Sequence, residues 1–400
     1  MNDMTTEITI KANPKFIKTF QKGFPLLNND NVTANLDNHQ EGTILNLVDS
    51  HHRFIAKGYY GKQNKGIGWL VSWKEHEAID QEFFNRKFQQ AVNQRLHFFY
   101  DEETTAFRVF NSEGDGFGGI TLDYFNGYYL IQWYSQGAYS FKDEIIRAIR
   151  ELPNYKGLYQ KKRFAVEGKY MEEDDFVHGE RPSFPLLVKE NGTSFAIYLN
   201  DGAMVGVFLD QREVRKLIRD KYADGKRVLN TFSYTGAFSV FAALGGATET
   251  TSVDLANRSL SKTIEQFSIN GIDYEAQNII VEDVFNYFKF AVKKELSFDM
   301  VILDPPSFAR SKKHTFSASK DYKDLLKEAI SITEKDGLIV ASTNCSTFDM
   351  KKFKGFIDKA FKEIGGSYKL LEEFTLPEDF KTINQYKQGD YLKVVFIKKQ

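Results

Sequence analysis

The stretch Phe298-Asp299-Met300-Val301-Ile302-Leu303-Asp304-Pro305-Pro306 decides how this chain is read. It runs as an apolar strand straight into an acidic residue and two prolines, which remove two backbone donors and stiffen the loop that follows. A second apolar run, Gly337-Leu338-Ile339-Val340-Ala341-Ser342, leads into Thr343-Asn344-Cys345-Ser346, and Cys345 is the only cysteine in the chain. An acid at the carboxyl end of one parallel strand and a thiol near the end of the next would share one rim of a doubly wound sheet, where such folds bind ligands. The pair suggests chemistry on a planar base, with a carboxylate for its polar edge and a thiolate for its ring.

Working outward, the segment from residue 212 alternates strand and helix. Helices are expected at Glu213–Tyr222, Gly236–Leu244, Ser259–Asn270, Phe285–Lys294 and Asp321–Ile332. Strands are expected at Arg227–Asn230, Glu249–Asp254, Asn278–Val281, Met300–Leu303 and Leu338–Ser342. That rhythm argues for an open parallel sheet with helices on both faces, an α/β Rossmann-like doubly wound domain over 201–400. Residues 76–200 read as an α+β domain: a helical spacing from Glu82 to Phe99, strands at 107–110, 119–123 and 128–133, and a helix from Phe141 to Arg150. Residues 1–75 read as a small β-barrel, with strand candidates at 8–10, 42–48 and 54–60 and a short helix at 15–20.

The strand ends carry the motifs. Asn230-Thr231-Phe232-Ser233-Tyr234-Thr235-Gly236 is a small-residue loop leading into a helix, whose backbone amides can hold a carboxylate. It is not GxGxxG, which disfavours a nicotinamide cofactor. Asp254, followed by Leu255, closes the next strand, where a carboxylate can accept from both hydroxyls of a ribose. Asp283 closes the third and could accept from an adenine amino group, with Val284 or Phe285 over the ring; both aspartates also read as helix caps. Asp304 and the Leu303 and Pro305 carbonyls would face a base, and the basic run Arg310-Ser311-Lys312-Lys313 would meet phosphates. Asp210-Gln211-Arg212 ends a strand-like stretch from Gly206 and offers a second wall to the cofactor pocket. Lys161-Lys162-Arg163 reads as a solvated face. His51-His52 has no third ligand at usable spacing, so no metal is expected.

Composition narrows the class. The chain has 400 residues, 42% hydrophobic and 27% charged, with a formal net charge of -1. Its length calls for more than one domain. So balanced a charge restricts nucleic-acid binding to local patches. The single cysteine fits a reducing cytoplasm. No run of about 18 apolar residues exists, so no membrane span is expected. Thirty-six Phe and 20 Tyr are mostly core, though aromatics also stack bases.

Taken in order, FLDQR, NTFSYTGAF, VDLANRSL, VEDVF, ILDPPSFAR and NCS resemble one family: the class I S-adenosylmethionine-dependent methyltransferases of large-subunit ribosomal RNA, in the cytosine-C5 branch with an N-terminal PUA domain. GDGFGGITLD at 114–123 resembles its central domain. The resemblance implies S-adenosyl-L-methionine as cofactor, ribosomal RNA as partner and a scaffold that allows a homodimer. Carried over by position, Phe232 to Gly236 would line the methionine part, Asp254 the ribose and Asp283 the adenine. Asp304 would face the target base and Cys345 would be the nucleophile. This chain departs from the pattern at Met204-Val205-Gly206-Val207 and lacks a second cysteine after the prolines, which leaves the base for the C5 proton unassigned. Guanine-N7 methyltransferases share a similar scaffold and need no thiol, so that acceptor stays open.

Overall fold

The computed structural model describes residues 7–64, 66–164, 175–202, 204–310 and 315–400. Ser311, Lys312 and Lys313 of the basic run lie outside the described residues. The chain divides into two compact units: Met1–Val188 with Tyr198–Val205 and Glu378–Gly389, and Lys189–Ile197 with Gly206–Pro377 and Asp390–Gln400.

In the first unit a six-stranded sheet runs in the order Leu26–Leu27, Gly66–Ser72, Phe54–Gln63, Ile44–Val48, Glu7–Ala12, Val32–Thr33. It curls, as a nearly closed barrel, around Ile10, Phe20, Leu47, Ile55 and Leu70. A five-stranded sheet follows, ordered Phe176–Gly179, Gly157–Lys162, Tyr128–Trp133, Ile120–Phe125, Ala106–Asn111. Helices Gln81–Gln94 and Lys142–Arg150 share its aromatic core. The glycines of segment 114–123 have a steric reason. A Cβ on Gly118 would lie 2.1 Å from Trp69 Cδ2, and the Gly118 carbonyl accepts from Tyr59 Oη at 2.7 Å. Lys161 is not on a solvated face: it is buried in a strand and ion-paired with Asp175.

The second unit holds the doubly wound sheet. Its strands are β1 (Arg227–Thr231), β2 (Glu249–Asp254), β3 (Asn278–Val281), β4 (Phe298–Leu303), β5 (Thr333–Thr343), β6 (Tyr368–Phe374) and β7 (Lys393–Lys399). They lie in the order β3-β2-β1-β4-β5-β7-β6. The first five are parallel; β7 is antiparallel to both β5 and β6. The helices that serve the site are α1 (Arg212–Leu217), α2 (Ala237–Leu244), α3 (Arg258–Ile269), α4 (Val284–Lys293), α5 (Ala318–Ser331) and α6 (Met350–Ile364).

Period-two alternation sends each strand's apolar residues to two separate cores. Leu229, Val301, Leu303, Ile339, Ala341 and Val395 pack against α4, α5 and α6. Val228, Met300, Ile302, Val340, Val394 and Phe396 pack against α1 and α2. Strand order reverses between β1 and β4, so the ligand crevice of such a sheet opens at the carboxyl ends of those two strands. The stretch from Gly206 is no strand. It is irregular to a single 3-10 turn at Leu209–Gln211, which feeds α1 and then a π-helical turn at Ile218–Tyr222.

Candidate active site

Thr231 Oγ1 donates to the Ile302 carbonyl at 2.7 Å and ties β1 to β4 at the reversal point. The loop beyond it is tightly bent. Phe232, Tyr234 and Gly236 have φ of 54°, 54° and 77°, a left-handed backbone at alternate residues. That conformation costs a non-glycine residue about 1–2 kcal/mol. Four bonds hold it: Ser233 N to the Val253 carbonyl (3.1 Å), Tyr234 N to Asp254 Oδ2 (2.9 Å), Gly236 N to the Ser233 carbonyl (2.8 Å) and Thr235 Oγ1 to the Gly206 carbonyl (2.6 Å). A Cβ on Gly236 would also lie 2.5 Å from Thr263 Cγ2 on α3. Asn230 is buried; its Nδ2 donates to Ser239 Oγ at 3.0 Å, and its Oδ1 has no partner among the described residues.

Asp254 stands half-buried at the end of β2. Each of its oxygens accepts one backbone amide, Oδ2 from Tyr234 and Oδ1 from Ala256 at 2.9 Å. Each keeps a further acceptor position. Leu255 beside it is exposed. Asp283 caps α4, with Oδ1 accepting from Phe285 N (2.9 Å) and Asn286 N (3.3 Å). Val284 turns into the core, whereas half-buried Phe285 meets Phe232 edge-on at 6.4 Å.

Asp304 is the centre of a buried polar cluster. Its Oδ1 accepts from Gln211 Nε2 at 2.6 Å and from Ser342 Oγ at 2.9 Å. Gln211 Nε2 also reaches Ser342 Oγ at 3.0 Å, and Gln211 Oε1 is buried without a partner among the described residues. Tyr322 Oη donates to the Ser342 carbonyl at 2.8 Å. Burial pushes the Asp304 carboxyl up to about 6, against the donors Ser342 and Gln211 and with help from the negative charge of Asp210. Asp210 accepts from Tyr391 Oη at 2.9 Å, and the buried Arg212 reaches Glu213 at 3.1 Å. Pro305 is buried. Phe308, by contrast, is 62% exposed on the short hairpin strand that follows. Ser307 Oγ donates to Asn344 Oδ1 at 2.5 Å.

Cys345 lies beyond the end of β5, but it is 6% exposed and packs in the apolar cluster with Phe348, Phe353 and Val395. Its Sγ is 3.1 Å from Thr347 Oγ1. Lys393, directly across the ladder from Thr343, is buried; its Nζ donates to the carbonyls of Cys345 (3.0 Å) and Tyr391 (2.7 Å). Burial pushes its ammonium down, against the charges of Asp390 and Asp349.

The structure therefore ties the loop Phe232–Gly236, which follows Asn230 on β1, to Asp254, and ties Gln211 to Asp304. Asp283 and Phe285 stand at the third strand end, and Asp210 and Arg212 engage neighbours of their own. Sequence reasoning missed Ser342, Tyr322 and Lys393. A serine closing an otherwise apolar strand was the one available signal for Ser342. Nothing local marks the other two.

The model of the S-adenosylmethionine-dependent methyltransferases matches residues 120–387, and that of a PUA-like domain matches residues 10–73. The chain is 60% identical over 382 residues to a Bacillus subtilis (strain 168) protein provisionally named ribosomal RNA large subunit methyltransferase YwbD, covering 95% of this chain and 96% of that one. It is 30% identical to ribosomal RNA large subunit methyltransferase I of Klebsiella pneumoniae (strain 342), covering 88% and 89%. Among solved structures, one provisionally described as a methyltransferase and complexed with SAH superposes with a TM-score of 0.89 at 39% identity, covering 98% of this chain and 100% of that one. A Streptococcus mutans structure, provisionally described as a SAM-dependent methyltransferase, gives 0.88 at 38% with the same coverage. The chain belongs to the S-adenosylmethionine-dependent methyltransferase family and carries a PUA-like domain at its N-terminal side.

Proposed function

We propose that this protein methylates a base of large-subunit ribosomal RNA and that the acceptor is a ring nitrogen, guanine N7 foremost. The names of its relatives support the RNA. The burial of Cys345 carries the choice of atom. A carbon acceptor needs a nucleophile that reaches the ring and a base that removes its proton. Cys345 is packed among phenylalanines, and no base is assigned. Guanine N7 has a lone pair in the plane of the ring and no proton to lose, so it needs only to be held in place.

The residues fit the cofactor. The amides at the start of α2 suit its carboxylate, Asn230 Oδ1 and Gln211 Oε1 are buried acceptors suited to an ammonium, and Asp254 keeps acceptor positions for a ribose. Asp283 and Phe285 would serve the adenine. When bound, S-adenosylmethionine supplies a methyl group on a positively charged sulfur. Phe308 offers an exposed ring face on which the target base can stack. Asp304, held through Oδ1, presents its other oxygen to the five-membered ring as that ring becomes cationic, and stabilises the charge.

A second reading is methylation of cytosine C5 through a Cys345 adduct. It is favoured by the position of Cys345 just past β5, beside the strand of Asp304, and by the Lys393 ammonium on its carbonyl. In that chemistry Asp304 would act as a neutral acid toward N3. The deciding experiment is mass spectrometry of nucleosides from large-subunit RNA treated with the enzyme, beside the Cys345→Ala variant. New 7-methylguanosine, retained in the variant, is expected. New 5-methylcytidine, abolished in the variant, would reverse the assignment.

A further inference from the structure

A second exposed aromatic ring stands near the pocket and is unused by the function above. Phe208 is 43% exposed, three residues before Gln211, and its ring lies 5.3 Å from that of Tyr234, tilted by 53°. Its neighbours Val207 and Leu209 are both buried, so the chain is anchored on either side while the ring between them is turned out. The backbone beneath it is held more firmly than an ordinary loop. Arg215 Nη2 donates to the Phe208 carbonyl at 2.6 Å. That guanidinium is itself buried and clamped by Glu190 through bonds of 2.7 and 2.8 Å. Burying an ion pair is costly, so a pair spent on one loop carbonyl points to a loop whose position matters. The backbone under the partner ring is held as well: Tyr234 has a left-handed conformation with its amide on Asp254.

We infer that Phe208 and Tyr234 form a stacking subsite for an unpaired base that neighbours the target base in the RNA strand. The inference rests on RNA being the substrate, and not on which atom is methylated. An exposed, rigidly presented ring face suits a base because every base has a π face, and stacking needs no hydrogen-bond code. The loop connects the subsite to the target pocket, since Gln211 binds Asp304. Phe308 then serves the target base and Phe208 its neighbour, which requires a strand opened over at least those two nucleotides.

The test uses the full chain and deproteinised large-subunit ribosomal RNA, with S-adenosylmethionine for turnover and SAH for the binding measurement. In Phe208→Ala and Phe208→Leu the KM for RNA should rise about tenfold, the effect of one lost stack, while Phe208→Trp restores it. The Kd of SAH, measured by calorimetry without RNA, should stay within about twofold. Phe208→Leu keeps apolar bulk without a π face, so it separates stacking from folding if the alanine variant is unstable. A parallel loss of SAH affinity would make Phe208 a cofactor wall and overturn the subsite, and so would an unchanged RNA KM in both variants. A wild-type enzyme that transfers no methyl to this RNA would overturn the RNA reading and the subsite together.

Discussion

The surroundings of Asp304 oppose its charged form. Burial raises its carboxyl to about 6, and the Ser342 and Gln211 donors limit that rise by stabilising the charged form. The two acceptor chemistries therefore have opposite pH dependence. A ring nitrogen that turns cationic needs the carboxylate, so single-turnover rates should fall as pH drops through about 6. A neutral acid serving cytosine N3 would instead lose rate as pH rises through the same value. Ser342→Ala removes one donor to the charged form, which should move the acid limb upward by about one pH unit. A limb that stays put would mean that Asp304 does not control it. Asp304→Asn should reduce the rate constant by about 10²-fold or more while SAH binding persists. The sequence revealed Asp304 through its prolines, but Ser342 becomes meaningful only when β4 and β5 are aligned.

The bent loop between β1 and α2 is the element on which cofactor binding depends. Gly236→Ala meets both a left-handed φ and the Thr263 methyl. It should lower stability by about 1–2 kcal/mol in urea titrations and weaken SAH on the order of tenfold. An unchanged Kd would separate the loop from the ligand. Elements built on apolar runs and helix caps were legible from sequence: β1 to β5, with Asp283 capping α4. Three of the strands that went unassigned share a physical cause. Gly157–Lys162, Leu186–Glu190 and β7 each carry a buried charge, Lys161, Glu190 and Lys393. Their partners are Asp175, Arg215 and the carbonyls of Cys345 and Tyr391. A charge neutralised by a residue distant in sequence looks like solvent exposure until the chain is folded. Cys345 shows the opposite case: its polar neighbours in sequence suggest a rim position, while its side chain packs in an apolar cluster behind β5.

Across the molecule, stability rests on a few buried charges as well as on apolar cores. Arg95 and Asp115 pair at 2.8 Å in the first unit, as Arg215 and Glu190 do at 2.7 Å in the second. Asp115→Asn or Glu190→Gln leaves a guanidinium buried with a weaker partner. Loss of up to about 3–5 kcal/mol is expected in urea unfolding, and a change within error would show that water replaces the partner. The path of the chain links the units in another way. Residues 378–389 belong to the first unit, where the Asp379 carbonyl accepts from Arg95 and its Oδ2 from the Arg108 amide, at 2.8 Å each. Residues 390–400 then return to the second and place β7 between β5 and β6. During translation neither unit has all its parts until this stretch has left the exit tunnel. A chain stalled before residue 378 would expose an unfilled slot between two strands, an edge that invites other chains to add themselves. The order of synthesis thus makes folding of both units a late, nearly simultaneous event, and nascent-chain proteolysis should find protection rising in one step once β7 has emerged.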